Sequence, residues 1–225
     1  GKRTGFPKTL MLPHSPSLTM AGAALLWVGW FGFNGGSALA ANGAAAAAII
    51  NTHLAAATAA LIWLAIERVK VGKATSVGFA TGAVAGLATV TPAAGFISAG
   101  GAICLGIAAA VICFPMIGWV KNKLKIDDSL DVFAVHGVGG MTGSVLLAVF
   151  MSPTLGGTGD AGSFSMTQQL YGQFVGVGIT AAWSALASVI LALGVNVIFP
   201  MRVSEDEERE GLDLSSHGER AWEMD

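Results

Sequence analysis

Residues 15–66 read SPSLTMAGAALLWVGWFGFNGGSALAANGAAAAAIINTHLAAATAALIWLAI, 52 positions without one Asp, Glu, Lys or Arg. Residues 74–120, 132–159 and 161–201 are uncharged too, over 47, 28 and 41 positions. Water-soluble domains do not leave such stretches uncharged, whereas a helix crossing the hydrocarbon core needs about 20 mostly apolar residues. The two longest stretches each hold two spans with a short turn, and the 28-residue stretch holds one. The 41-residue stretch reads as one long span, because its first part (Gly162, Ser163, Ser165, Gln168, Gln169) is polar. The fold class is therefore all-α, a polytopic membrane protein with six transmembrane helices near 17–38, 44–66, 75–90, 96–119, 129–151 and 167–200.

Composition agrees. Mean hydropathy is +0.66, charged residues are 12% and there are 31 glycines. Glycine is more frequent in membrane helices than in soluble ones, and small residues let helices approach closely. The net charge of −2 says nothing about partners. Cys104 and Cys113 share one apolar segment, which argues for inert packing rather than a disulfide framework. The chain does not open with Met, and Gly1-Lys2-Arg3 does not begin a signal peptide, so it reads as starting in mid-protein.

The charges then sort themselves. Lys2, Arg3 and Lys8 precede the first helix, and Arg68, Lys70 and Lys73 follow the second. Lys121, Lys123 and Lys125 follow the fourth, and Arg202, Arg209 and Arg220 follow the sixth. All twelve basic residues fall on one side, while the opposite connections carry only Asp160. The positive-inside rule makes both termini cytoplasmic. Three parts are expected: a cytoplasmic connecting segment at 1–16, a membrane domain at 17–201 and a cytoplasmic tail at 202–225. The tail opens with an acidic run (Glu205, Asp206, Glu207, Glu208, Glu210), and Leu212, Leu214 and Trp222 suit docking onto the cytoplasmic face.

Leu26, Trp30, Phe33 and Ser37 fall at i, i+4, i+7 and i+11 on one face of the first helix. An aromatic ring beside a hydroxyl at an outer mouth attracts a small cation, and bulky residues below it exclude hydrated ions. On spacing alone the simpler reading is an interfacial aromatic belt or ordinary packing. His136 is more pointed. Capping near Asp128-Ser129 puts it eight residues, about 12 Å, into its helix. Ionisable groups at such depth mark pathways or proton relays; the alternative is a structural His bonded to a neighbouring helix. Val132, four residues earlier, shares its face. His53, beside Asn51 and Thr52, reads as part of a satisfied polar cluster. Asp127, Asp128 and Asp131 read as dipole and cap partners of a helix N-terminus. Thr91-Pro92 reads as a helix end with a turn. No nucleophile–base pair, phosphate loop or Cys-x-x-Cys metal spacing appears, so neither enzyme chemistry nor a cofactor or metal is expected.

Four segments together resemble the ammonium transporter / methylammonium permease / Rh family. They are Gly29-Trp30-Phe31-Gly32-Phe33-Asn34 with Gly36-Ser37, Val90-Thr91-Pro92-Ala93, Asp131-Val132-Phe133-Ala134-Val135-His136-Gly137-Val138, and the tail from Glu208 to Glu219 with Gly211, Asp213, Ser215, His217 and Gly218. The resemblance covers almost the whole chain, in order, as spans six to eleven and the regulatory C-terminus of an eleven-helix inverted-repeat fold. It implies that Phe33 is one of two stacked gate phenylalanines, that Ser37 recruits ammonium above them, and that Trp30 and Leu26 line the conduction path. It also implies that Thr91 sits near that path and that His136 is the second of twin pore histidines. The first histidine, the partner phenylalanine and a recruitment tryptophan would precede Gly1, which favours a fragment that does not conduct alone. Trp222 stands where the family often has Tyr or Phe.

The implied function is ammonium transport across the plasma membrane, the inner membrane in a bacterium: recruitment, deprotonation, and passage of ammonia along an apolar path. Charge is expensive to move along such a path, whereas a neutral molecule crosses cheaply. A homotrimer and a P-II signalling protein on the cytoplasmic face are implied partners, besides the lipid bilayer. In some members the tail is phosphorylated, and Ser215 is the nearest candidate. Two rivals remain. A membrane ammonium sensor or regulatory half-protein would normally carry an appended signalling domain, and about 25 polar residues follow the last span. A neutral gas channel of the Rh branch shares the apolar path, but the Gly29–Asn34 motif argues for the bacterial-type branch.

Overall fold

In the uncharged stretches, the few polar residues mark where helices begin. The computed structural model describes residues 2–8 and 13–220. Helix α1 (Pro16–Gly36) starts behind Ser15, whose hydroxyl accepts from Leu18 N–H, with Pro16 in the first turn where its missing donor is harmless. Asn42 caps α2 (Gly43–Lys70), Thr75 caps α3 (Ser76–Val90) and Ser98 caps α4 (Ala99–Gly118) in the same way. Arg68 and Lys70 sit in the last turn of α2, where cations complement the helix dipole. A π-helical turn (Trp119–Lys123) extends α4. Another (Phe133–Gly137) opens α5, which continues as Val138–Phe150. Helix α6 is the single long helix expected, Met166–Ile198, about 50 Å at 1.5 Å per residue. Two short helices follow, α7 (Glu205–Glu210) and α8 (Leu212–His217).

Five of these helices are long and apolar enough to cross a membrane among the described residues. The third expected span, α3, has 15 residues and falls short of that length. It ends before Pro92, and it sits among the other helices. α3 packs against α1, α2, α4 and α5, and ten of its residues are buried. Gly78, Gly82 and Gly86 form one stripe at i, i+4 and i+8. A Cβ at Gly86 would lie 2.5 Å from the Ala55 carbonyl, and one at Gly82 would lie 2.6 Å from Trp63 Cβ. The backbones of α2 and α3 therefore touch, and the core they form is largely alanine: Ala48, Ala55, Ala59, Ala85 and Ala109 are all buried.

The start of α5 differs from expectation. Asp131 adopts φ 58°, a left-handed conformation that a helix interior does not hold. Helical structure begins at Val132 rather than 129. His136 is therefore four residues from the start of its helix, about 6 Å of rise instead of 12 Å. The helix expected from 96 begins at Ala99, because residues 91–97 turn after Thr91-Pro92.

The chain divides into two compact units, residues 12–178 and residues 1–11 with 179–225. The first holds α1 to α5. In the second, the tail folds on the start of the chain: Thr4 N–H donates to Glu208 Oε1 at 2.6 Å, and Arg202 pairs with Glu208 at 3.1 Å and donates to the Lys2 carbonyl.

Candidate functional site

Trp30 is the hub of the site. Its indole N–H donates to Thr91 Oγ1 at 2.7 Å, and the Thr91 hydroxyl in turn donates to the Leu87 carbonyl at 2.7 Å. This ties α1 to the end of α3. The Trp30 ring also lies nearly parallel to His136, with centroids 6.3 Å apart and 19° between planes, and meets Phe33 edge-on at 6.1 Å. Three segments distant in sequence thus converge on one indole.

Below it, Leu26 and His136 line a cleft of about 270 Å³, with Ala23, Ala80 and Val84 supplying apolar walls and Thr19 and Thr81 the hydroxyls. Both hydroxyls donate to their own helices, at Ser15 O and Val77 O. Val132, expected on the His136 face, does not line this cleft; Leu130 and Val135 do. The wider i→i+5 turn at Phe133–Gly137 changes the i, i+4 alignment on which that expectation rested. The remaining members of the α1 face, Phe33 and Ser37, stand at its C-terminal end. Ser37 Oγ donates to the Phe33 carbonyl at 2.8 Å. Most of the face is open: Leu26 is 53% and Phe33 61% exposed, His136 is exposed as well, and Trp30 is half-buried.

Asp128 sets the start of the His136 helix. Its carboxylate accepts from the N–H groups of Val132, Phe133 and Ala134 at 2.9, 2.9 and 3.4 Å. This is the cap that the acidic residues predict, reached across the left-handed Asp131. Asp131 pairs with Lys121 at 2.6 Å.

His53 is not in a polar cluster. It is exposed, with ring centroids 5.4 Å from Trp27 and 6.0 Å from Phe31. Its neighbours use their polar atoms elsewhere. Asn34 donates to Thr52 Oγ1 at 2.9 Å, and the Asn51 amide donates to the carbonyls of Ala94 and Ile97, both at 2.8 Å. Asn51 and Thr52 face the core, while His53 is turned about 100° from Thr52 and about 160° from Asn51.

The tail residues form two helices joined at Gly211, whose φ of 102° suits glycine. Ser204 and Glu207 make a reciprocal capping box at α7. The Ser215 hydroxyl donates to the Gly211 carbonyl at 3.0 Å, and Gly218 at φ 68° closes α8 with its N–H on Leu214. Asp213 lies in the first turn, where its negative charge suits the helix dipole, and His217 lies in the last. The hydrogen bonds to Ser204 hold the Glu207 carboxyl below the usual range, and the Thr4 amide with Arg202 does the same for Glu208. Trp222 lies outside the described residues.

Residues 1–222 match the family model described as the Ammonium Transporter Family. The chain belongs to this family. It is 46% identical over 222 residues to Ammonium transporter Amt1 of Archaeoglobus fulgidus, covering 99% of this chain and 56% of that relative. Against the Ammonium transporter of Aquifex aeolicus it is 46% identical, covering 96% and 51%. Among solved structures, one described as Sensor Amt Protein matches with a TM-score of 0.82 at 30% identity, covering 90% of this chain and 49% of that one. Saccharomyces cerevisiae Mep2 matches with 0.74 at 35%, covering 86% and 48%. The chain spans about half the length of the curated relatives it matches.

Two features of this Ammonium Transporter Family chain escape a sequence reading. Asn34 sits in the quoted α1 motif, and an amide inside an apolar helix asks for a partner on the next one; here it is Thr52. The Lys121–Asp131 pair left no signal, because its closeness depends on a left-handed residue that spacing does not reveal.

Proposed function

We propose that this chain is part of an ammonium transporter. Ammonium is recruited at the outer mouth by the Phe33 ring and the Ser37 hydroxyl, loses a proton, and ammonia passes Trp30 and Leu26 toward His136. Thr91 holds the Trp30 ring in place, and Val132 flanks the His136 turn outside the cleft. The observation that carries the reading is the stacked Trp30–His136 pair above an apolar cleft. Such a path opposes a bare cation, because moving a charge into low dielectric costs several kcal/mol or more. A neutral molecule pays far less. Residues 17–201 serve as the membrane domain in a plasma membrane, both termini are cytoplasmic, and residues 202–225 serve as a regulatory tail in which Gly211, Asp213, Ser215, His217 and Gly218 shape the helices. A homotrimer and a P-II signalling protein are the proposed protein partners.

The test is uptake by the full-length transporter in liposomes. His136→Ala is expected to lower ammonium uptake at least tenfold or to admit potassium. Unchanged uptake with unchanged exclusion of potassium would sink this assignment.

A second reading is ammonium sensing through the tail, favoured by the likeness to Sensor Amt Protein. It predicts an ammonium-dependent change in tail protection without net uptake.

A further inference from the structure

The His136 turn is held from outside the conduction face. Two π-helical turns, Trp119–Lys123 at the end of α4 and Phe133–Gly137 at the start of α5, stand on either side of one ion pair. Lys121 lies within the first turn, and Asp131 lies two residues before the second. Their side chains meet at 2.6 Å and are only 26% and 21% exposed. Asp131 carries φ 58°, so the chain reverses at the residue that bears the charge. Its carbonyl accepts from Val135 N–H at 2.8 Å, one residue before His136. Asp128 fixes the next three amides. The ring of His136 is thus reached from Lys121 by one ion pair, one carbonyl and one helical turn.

Wide turns of this kind are rare and recur at functional sites. Neither π-turn has a side-chain cap of its own at the residue preceding it, so their register depends on what surrounds them. On the opposite side, close packing of Gly139 against Thr89 and Cys113 allows little slip along α5. The remaining freedom is rotation of the first turn, which is what the ion pair and the Asp128 cap oppose.

We infer that Lys121 and Asp131, with Asp128, are positioning residues that set the orientation of the His136 ring against Trp30, so that a change in the α4–α5 connection is felt at the histidine. This rests on the reading of His136 as the conduction-path histidine. None of the three carboxylate or ammonium groups needs to touch ammonium. An Arg at 121 preserves the pair, whereas Met does not.

The experiment uses the full-length protein, labelled with ¹⁵N-histidine, in lipid nanodiscs. The His136 ring signal is assigned by its loss in His136→Gln, and His53 on α2 serves as the internal reference. Lys121→Met, Asp131→Asn and Asp128→Asn are each expected to shift the His136 signal and leave that of His53 in place. Asn tolerates the left-handed backbone at 131. Lys121→Arg is expected to leave both signals unchanged, and the Lys121→Met/Asp131→Asn double variant to shift no further than either single one. If Lys121→Met fails to fold, Asp131→Asn with Lys121→Arg carries the same comparison. A His136 signal unmoved by loss of the pair, or shifts that simply add in the double variant, overturns the inference. Because the signal reports ring position whether or not ammonium moves, absence of uptake alongside the expected shifts would overturn the transport reading and leave the positioning intact.

Discussion

At the scale of single residues, Trp30 does two separable things. Its N–H holds Thr91, and its ring faces His136. Trp30→Phe keeps an aromatic ring and deletes one hydrogen bond, and is expected to lower stability by about 1 kcal/mol. Thr91→Val added to it is expected to cost little more, since the bond is already gone; a thermal-melt cycle of the four proteins checks this. The α1 face was legible because side-chain spacing on a helix is a matter of period. So was the presence of a histidine inside α5. What lay beyond reach was which histidine has company. In the sequence His53 stands beside Asn51 and Thr52 and reads as their polar partner, while His136 stands among apolar residues and glycines. Only the fold shows His53 between Trp27 and Phe31 and His136 against Trp30.

At the scale of elements, α3 sets the rules for its neighbours. A stripe of glycines brings α2 to backbone contact, and side-chain volume there has nowhere to go. Gly86→Leu forces the Ala55 carbonyl and Ala59 side chain apart, and overpacking of this kind costs about 1–3 kcal/mol or more. The expected outcome is a lower melting temperature and lower yield of folded protein, while Gly22→Ala, with open space around it, leaves both unchanged. Six apolar helices were readable from gaps between charges, five of them of membrane-crossing length and α3 shorter. The shortness of α3 followed from Pro92, but its central place did not. Which helices touch is decided by small residues meeting across an interface, and a single sequence shows one side of that meeting at a time. The start of α5 was misread for a related reason. Asp128 is a good cap by identity, but its reach across a left-handed Asp131 is a backbone fact.

At the scale of the whole chain, the charges missing from the apolar stretches lie in the connections and, within the unit of residues 1–11 and 179–225, around Glu208. The Glu208 carboxyl accepts from Thr4 and pairs with Arg202, and both contacts hold it below its ordinary value. A carboxylate whose folded value is depressed stabilises the folded arrangement above the unfolded value, near 4.3, and loses that contribution as pH falls through the folded value. The contact between the tail and residues 2–4 is therefore expected to persist at pH 7 and to open under acid, read as amide hydrogen exchange at Thr4. Glu208→Gln should speed exchange already at pH 7 and flatten the acid response. An exchange rate at Thr4 that ignores both acid and the substitution would dismiss the contact as incidental.

Asn51 has a consequence of a mechanical kind. Its two amide protons are both committed, one to Ala94 and one to Ile97, so a single side chain stitches the segment after α3 to the middle of α2. Thr158 N–H and the Ser98 hydroxyl add further stitches to the same segment from the stretch after α5. That rim is a stiff frame. The end of α1 is fastened to α2 by Asn34 and by Gly35, which packs closely on Ile49, while its Leu39 corner stands 93% exposed. Phe33 and Ser37 therefore sit on the more lightly stitched edge of this end of the bundle, outside that frame.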